Sequence, residues 1–225
     1  MIVLILRIYK SYLIKYMINK DFLYKTLAEM FPNAKCELNY NNIFELLVSV
    51  ILSAQTTDIS VNKVTKNLFS KYNTISKLAN AKEEDVKEVI KTIGLSNTKA
   101  KNIIKLSQIL IENYDSTVPK SFEELLKLPG VGRKTANVLI SEGYKIPGIA
   151  VDTHVLRVSN RLGLVSSSNP EFVEDKLKNI FEKERWNMLH LYLLFFGRYH
   201  CKAKKPNCLI CPFIADCVYY KKQAQ

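Results

Sequence analysis

The chain has 225 residues, 48% of them hydrophobic and 24% charged, a composition that excludes a disordered protein. Glycine and proline number only seven each, so few residues interrupt helices over this length. The formal net charge of +12 favours a polyanionic partner, which could be DNA, RNA or an anionic membrane. Charge alone does not separate these partners from a merely basic soluble enzyme.

The apolar segments are too short for a transmembrane helix, which needs about 20 residues. The opening residues MIVLIL end at Arg7 and lack the basic region and cleavage site of a secretory signal. We therefore expect an intracellular, cytoplasmic protein with no membrane partner. Residues 1–16 carry no organised helical stripe, which indicates either an extension or a misassigned start, with Met17 as the true first residue.

Apolar residues recur at helical spacing through most of the chain, and no alternating strand pattern stands out. The predicted fold class is therefore all-α, built by helix packing. Ser121 and Glu124 have the spacing of a capping box. In chain order, the predicted helices are Asp21–Phe31, the buried core helix Ile43–Ala54, one capped by Thr57 or Asp58, one capped by Asn97, Phe122–Leu128, Phe172–Phe181 and Trp186–Phe196.

The segment LPGVGRKTA, residues 128–136, predicts a helix–hairpin–helix. Pro129 and Gly130 end one helix, Gly132 is expected to permit the tight turn, and a new helix begins near Arg133. Backbone N–H groups at such a helix start favour a phosphate, which a Cβ at either glycine would hold off. The alternative is an ordinary corner between two helices. A weaker form of this pattern, Ile93-Gly94-Leu95 followed by Lys99, predicts a second hairpin that faces DNA. The alternative is that the similarity is coincidental.

Four of the five cysteines lie within 17 residues, in the pattern C-x6-C-x2-C-x5-C formed by Cys201, Cys208, Cys211 and Cys217. Four thiolates this close suit either Zn²⁺ or an iron–sulfur cluster. Two disulfides are the weaker interpretation, because an intracellular chain keeps its thiols reduced. The remaining Cys36 is interpreted as a small buried apolar residue.

Three segments accompany the cysteine pattern: LSAQTTD (52–58), LPGVGRKTANVL (128–139) and VDTHVLRVSNRLGL (151–164). Together these features resemble the endonuclease III family, bifunctional DNA glycosylase/AP lyases of the helix–hairpin–helix superfamily. The resemblance runs from Asp21 to Tyr219 with the motifs in the family's order. It implies that the four cysteines bind a [4Fe–4S] cluster.

The resemblance implies two helical domains with a DNA-binding cleft between them. One is a helical barrel over residues 36–146 that ends with the hairpin. The other joins residues 17–35 to residues 147–225 and carries the cluster loop. Lys134 and Asp152 are expected to face each other across the cleft.

The resemblance makes Lys134 the nucleophile that forms a Schiff base with the sugar. At the ordinary pKa of about 10.4, making a lysine neutral at pH 7 costs about 4.6 kcal/mol. Burial and the neighbouring Arg133 are expected to reduce that cost. Asp152 corresponds to the catalytic aspartate, which would stabilise positive charge at C1′ and help to activate Lys134. An N-cap is the structural alternative for Asp152, and both roles are compatible.

Other residues are implied to contact DNA. Gln55 would enter the gap left by the flipped base, and Leu95 would wedge into the opposite strand. The nearby Asp58 either lines the base pocket or caps a helix. The alternative for Leu95 is a hydrophobic contact at a helix end. The basic residues around the cysteines are expected to contact phosphates and to make binding salt-dependent, unless they form a solvated tail. The implied DNA contacts are Gln55, Leu95, Gly130, Gly132, Arg133, Lys202, Lys204 and Lys205.

The implied substrates are oxidised or ring-saturated pyrimidines and abasic sites in duplex DNA, acted on by a monomeric, nucleoid-associated enzyme. Two other classes fit part of the sequence. A monofunctional mismatch glycosylase would release a base without cleaving the strand, and the adenine-mismatch branch generally lacks a lysine at the Lys134 position. A non-catalytic, cluster-bearing protein would bind DNA only. The 8-oxoguanine branch shares Lys134 and Asp152 but commonly lacks the cysteine loop.

Overall fold

A computed structural model of the chain describes residues 18–223, in which every regular element is a helix, confirming the predicted all-α class. The interpretation of residues 1–16 lies outside this described part. No helix within it combines the length and hydrophobicity needed to cross a bilayer. The α-helices are α1 (Lys20–Met30), α2 (Ile43–Leu52), α3 (Asp58–Lys71), α4 (Ile75–Ala79), α5 (Glu83–Ile90), α6 (Ser96–Asn113), α7 (Phe122–Leu126), α8 (Arg133–Val138), α9 (Thr153–Arg161), α10 (Pro170–Ile180), α11 (Trp186–Phe195) and α12 (Val218–Gln223).

Short turns of other helix types extend or link these elements. The π-helical segments Leu139–Gly143 and Phe196–His200 continue α8 and α11, respectively. The 3₁₀ segment Lys183–Arg185 precedes α11. The 3₁₀ segment Cys208–Ile210 lies within residues 201–217, the cysteine loop.

The helices fall into two units, each with its own hydrophobic core. The central unit is Cys36–Gly148 and contains α2 to α8. The terminal unit combines the segment that ends at Lys35 with the residues from Ile149 onward, and contains α1 and α9 to α12.

Helix α2 lies at the centre of the core of the central unit. Its residues from Phe44 to Leu52 are all buried, confirming the predicted core helix. The helix ends at Leu52 rather than at the predicted Ala54. The buried carboxylate of Glu45 accepts hydrogen bonds at 2.7 and 2.9 Å from the backbone N–H and side-chain amide of Asn41. This pairing satisfies the one charged side chain of the helix at its N-terminus, where the helix dipole favours a negative charge.

Three predicted helix starts have different outcomes. Thr57 caps α3 by accepting a hydrogen bond from the backbone N–H of Ser60, as predicted. Asn97 does not cap α6; the cap position is Leu95, in a left-handed conformation. Ser121 caps α7, but the reciprocal half of the capping box is absent, because the carboxylate of Glu124 accepts from the Tyr114 hydroxyl and the Lys127 ammonium instead.

Aromatic side chains organise the core of the terminal unit next to the cysteine loop. Phe196 and Phe213 are fully buried, with ring centroids 5.4 Å apart in an edge-to-face arrangement. Phe196 also stacks on His200, and its carbonyl accepts a 2.7 Å hydrogen bond from the backbone N–H of Cys201. The first cysteine of the loop is thereby fixed to the end of α11.

Gly163 ends α9 with φ +80°, and an added Cβ would lie 2.6 Å from Cγ2 of Val218. We predict that Gly163→Ala lowers the free energy of unfolding by about 2 kcal/mol, because the left-handed backbone and the collision both oppose a side chain. Gly94→Ala is the matched control, since its Cβ would meet nothing within 4 Å. Denaturant unfolding followed by far-ultraviolet circular dichroism compares the two, and equal losses of stability would contradict the prediction.

Candidate functional site

The predicted helix–hairpin–helix is present between α7 and α8. Gly130 makes the turn, with φ +78°, and an added Cβ would lie 3.1 Å from Nδ2 of Asn102 and 3.2 Å from Cγ2 of Ile51. The expectation that Gly132 provides the turn is therefore wrong: Gly132 is extended, with φ −102°.

The role of Gly132 lies in what its missing side chain leaves open. It is the N-cap residue of α8, it is exposed, and an added Cβ would meet no protein atom within 4 Å. The protein's own packing therefore does not require glycine there. A bare backbone at this position gives a ligand close access to the first N–H groups of α8, which have no partners within the helix.

Two basic residues begin α8. The guanidinium of Arg133 packs over the ring of Phe122, with its Cζ 5.1 Å from the ring centroid. The next residue, Lys134, is exposed, so the expectation that it is buried is wrong. The helix N-terminus and Arg133 remain as sources of positive potential beside its amine.

Asp152 is the N-cap of α9. Its Oδ1 accepts hydrogen bonds from the backbone N–H groups of His154 and Val155, both at 2.8 Å. The cap uses only this oxygen, so the second carboxylate oxygen of the half-buried side chain can serve another function. His154 lies 3.3 Å from the guanidinium of Arg157 through Nδ1, in keeping with a structural role.

Gln55 occupies the loop between α2 and α3. It is exposed and left-handed, with φ +56°, a conformation that costs a residue with a Cβ about 1–2 kcal/mol. The turn is closed by a 3.1 Å hydrogen bond from the backbone N–H of Thr56 to the carbonyl of Ser53. Asp58 is the first residue of α3, after the Thr57 cap.

Leu95 lies in the turn between α5 and α6, at the position of the predicted second hairpin. It has φ +61°, and 57% of its surface is exposed. The alternative of a hydrophobic contact at a helix end is therefore wrong. An exposed leucine at a sharp turn presents an apolar side chain to whatever approaches the turn.

Lys99 is the residue whose position the sequence analysis missed. It is only 4% exposed, so it does not share the exposure of the Leu95 turn that precedes it. Its Nζ donates to the carbonyls of Leu52 and Ala54 at 2.9 and 2.7 Å and to Oγ1 of Thr56 at 3.1 Å. Burial lowers the pKa of Lys99 below its ordinary value.

The available sequence signal for Lys99 was its helical spacing. It continues a stripe on α6 whose buried members are Ile103, Leu106 and Leu110. A lysine on such a stripe is directed into the core. Its ammonium then requires polar partners, which the main chain of the Gln55 loop supplies.

All four clustered cysteines line one cavity of about 320 Å³, part of it open to solvent. Among residues 18–223, no three or more His, Cys, Asp or Glu side chains are arranged to hold a single metal ion. A four-iron cluster takes one thiolate at each iron, so its ligands surround a volume. Four thiols around one cavity are donors of the type that an iron–sulfur cluster takes, one at each iron. Burial is the main factor that raises the pKa of Cys211 to about 11, which leaves a thiol unless a metal replaces its proton.

Arg161 fixes the segment that begins at Cys201. Its guanidinium donates to the carbonyls of Lys202 and Ala203 at 2.7 and 3.1 Å, and it lies 3.5 Å from Sγ of Cys201. Its Cζ is 4.0 Å from the centroid of the Tyr219 ring. The side chains that project from this segment are exposed and basic: Lys202, Lys204 and Lys205.

Comparison with known proteins identifies the family. The model of the HhH-GPD superfamily of base excision DNA repair proteins matches residues 48–183. Endonuclease III of Rickettsia conorii is 52% identical over 203 residues, which cover 90% of this chain and 96% of the relative. Endonuclease III of Bacillus subtilis is 50% identical over 198 residues, covering 88% and 90%.

The fold matches a solved structure as well. A structure described as a trapped endonuclease III–DNA covalent intermediate superposes with a TM-score of 0.89 at 48% identity, covering 93% of this chain and all of that one. The resemblance drawn from the motifs is thus confirmed. The chain belongs to the HhH-GPD superfamily of base excision DNA repair proteins and, within it, to the endonuclease III family of DNA glycosylase/AP lyases.

Proposed function

We propose that this chain excises oxidised or ring-saturated pyrimidines from duplex DNA and cleaves the resulting abasic site by β-elimination. The observation that carries the proposal is the exposed Lys134, two residues after the bare backbone of Gly132 at the start of α8. It supports the proposal because an amine at this position would lie beside backbone N–H groups that favour a phosphate. Family membership supports base excision repair; the lesion class and the residue roles are our proposal.

The hairpin would hold the DNA backbone. The N–H groups at the start of α8, together with the positive charge of Arg133, favour a phosphate beside Gly132. Such a contact positions the duplex without reading its sequence, which suits an enzyme that must act wherever damage occurs.

Lys134 would carry the covalent step. Its neutral amine attacks C1′, the bond from C1′ to the base breaks, and the base leaves with a proton. Loss of the sugar ring oxygen from C1′ gives the Schiff base, and removal of a C2′ proton then expels the 3′ phosphate. Water hydrolyses the Schiff base and returns the amine to Lys134.

Asp152 would act on charge at the sugar. Positive charge develops at C1′ as the base leaves, and a carboxylate stabilises it. The second oxygen of Asp152 is suited to this role because the cap of α9 uses only Oδ1. Capping and catalysis can therefore be served by the same side chain.

Gln55 and Leu95 would occupy the duplex once the damaged nucleotide has left the stack. Both are exposed at sharp turns of the central unit. The amide of Gln55 can hydrogen-bond an unpaired base, whereas Leu95 can supply only an apolar wedge. The two residues would thereby offset the loss of stacking that base flipping requires.

The four cysteines would hold a [4Fe–4S] cluster, through Cys201, Cys208, Cys211 and Cys217. When bound, the cluster supplies a cross-link between four points of the segment 201–217. Arg161 already ties this segment to α9. The exposed residues Lys202, Lys204 and Lys205 would then meet phosphates from a fixed loop, and their contacts would weaken steeply with salt.

The first test is borohydride trapping on a duplex that contains one thymine glycol. We expect a covalent adduct with the wild type and none with Lys134→Ala, because only a Schiff base is reduced to a stable amine. Lys127→Ala is the matched control, since Lys127 is an exposed lysine of the same hairpin and pairs with Glu124. Base release without any adduct in the wild type would indicate a monofunctional glycosylase and contradict the role of Lys134.

Substitution of the two hairpin glycines is expected to have different effects. We expect Gly132→Ala to weaken binding to a duplex containing a tetrahydrofuran abasic analogue about tenfold, the equivalent of one strong hydrogen bond to a charged group. Its unfolding midpoint should remain near the wild-type value, because the added Cβ meets no protein atom. Gly130→Ala should instead lose stability, since its φ is +78°. Fluorescence anisotropy measures the affinity, and an unchanged dissociation constant for Gly132→Ala would contradict the phosphate site.

The cysteine cavity predicts the metal content. We expect the purified protein to be brown and to contain iron and acid-labile sulfide, which Cys211→Ala should lose. Cys36→Ala should retain both, because Cys36 is not among the residues that line the cysteine cavity. Elemental analysis distinguishes the outcomes, and a colourless protein that contains zinc would contradict the cluster.

A further inference from the structure

We propose that Lys99 is a positioning residue that holds the Gln55 loop and the Leu95 turn in one fixed arrangement for insertion into damaged DNA. This inference rests on the proposed roles of Gln55 and Leu95. It assigns to Lys99 no contact with the substrate, because its side chain is almost completely buried.

The ammonium of Lys99 is fully used on the Gln55 loop. A lysine has three N–H donors, and here they go to the carbonyl of Leu52 at the end of α2, the carbonyl of Ala54 and Oγ1 of Thr56. The last two partners are the residues immediately before and after Gln55. The loop is therefore held on both sides of the residue that it presents.

The bond to Ala54 acts directly on the conformation of Gln55. The carbonyl of Ala54 belongs to the same peptide plane as the backbone N–H of Gln55. Fixing this carbonyl at 2.7 Å from Nζ limits rotation of the plane, and with it φ of Gln55, which is +56°. A left-handed glutamine is unfavourable by itself, so the loop needs such a restraint to hold this conformation.

The backbone of Lys99 is joined to Leu95. Its N–H donates a 2.9 Å hydrogen bond to the carbonyl of Leu95, which forms the first turn of α6. One residue thus contacts the Leu95 turn through its main chain and the Gln55 loop through its side chain. A shift of either turn would strain bonds made to the other.

Core packing alone does not account for a lysine at this position. The neighbouring buried residues of the stripe, Ile103 and Leu106, are aliphatic, and methionine would fill similar space without a charge. Burying an ammonium is costly unless its donors are satisfied. The charge therefore has a function that packing does not supply, and its three bonds place that function at the Gln55 loop.

The test compares discrimination between damaged and undamaged DNA. We would measure the ratio of dissociation constants for an undamaged duplex and for one with a tetrahydrofuran abasic analogue, in the wild type, Lys99→Met, Gln55→Ala, Leu95→Ala and the double variant Lys99→Met/Gln55→Ala. We expect Lys99→Met to lower the ratio about tenfold, as loss of one insertion would. In the double variant the two losses should not add, because both act through the same loop.

Leu106→Ala separates positioning from general destabilisation. Leu106 is fully buried on the same helix, and α6 would lose packing without any change in the bonds to the loop. We expect its unfolding midpoint to fall while its discrimination ratio stays at the wild-type value. If Lys99→Met fails to fold, Thr56→Val removes one acceptor of the ammonium and should lower the ratio by a smaller factor.

Failure of the role of Lys99 and failure of the proposed roles of Gln55 and Leu95 would give different results. A wild-type ratio in Lys99→Met, or losses that add fully in the double variant, would overturn the role of Lys99 while leaving the proposed function intact. Wild-type ratios in both Gln55→Ala and Leu95→Ala would show that neither residue fills the gap, and the inference about Lys99 would fall with them.

Discussion

Left-handed backbone at sharp turns is the constraint on which the candidate site depends. Four of the proposed DNA contacts have positive φ: Gln55, Leu95, Gly130 and Lys205. A turn of this kind ends or starts a helix abruptly and leaves main-chain groups or a single side chain projecting. Only glycine adopts it without cost, so the three other turns each need a stabilising contact from elsewhere in the fold.

Two basic side chains provide such contacts. Lys99 donates to main-chain carbonyls beside Gln55, and Arg161 donates to the carbonyls of Lys202 and Ala203, just before Lys205. Lys99 is almost completely buried and Arg161 is half-buried, and each charge is satisfied by the loop that it restrains. The net charge of +12 is therefore larger than the positive charge that is available to contact DNA. Part of the basic character serves to shape the contact loops.

The same distinction explains how far the sequence could predict the structure. Helical periodicity located the core helix α2, and the glycine spacing located the hairpin, because both are local patterns. The exposed Lys134 and the buried Lys99 are both lysines near a helix start, and only the apolar stripe that continues from Lys99 marks the face that is buried. The roles of the two hairpin glycines were also misassigned, because the residue with positive φ depends on how α6 and α2 pack against the turn, through Asn102 and Ile51.

The glycines differ in whether the fold itself requires them. Gly130 and Gly163 have φ values that a side chain would strain, so the fold alone explains them. Of the seven glycines in the chain, only Gly94 and Gly132 would place a Cβ within 4 Å of no protein atom. One directly precedes Leu95, and the other lies two residues before Lys134, so each borders a proposed DNA contact. Both glycines are exposed and the protein's own packing requires neither, so contact of the second hairpin with DNA stays a prediction that Leu95 and its turn can test.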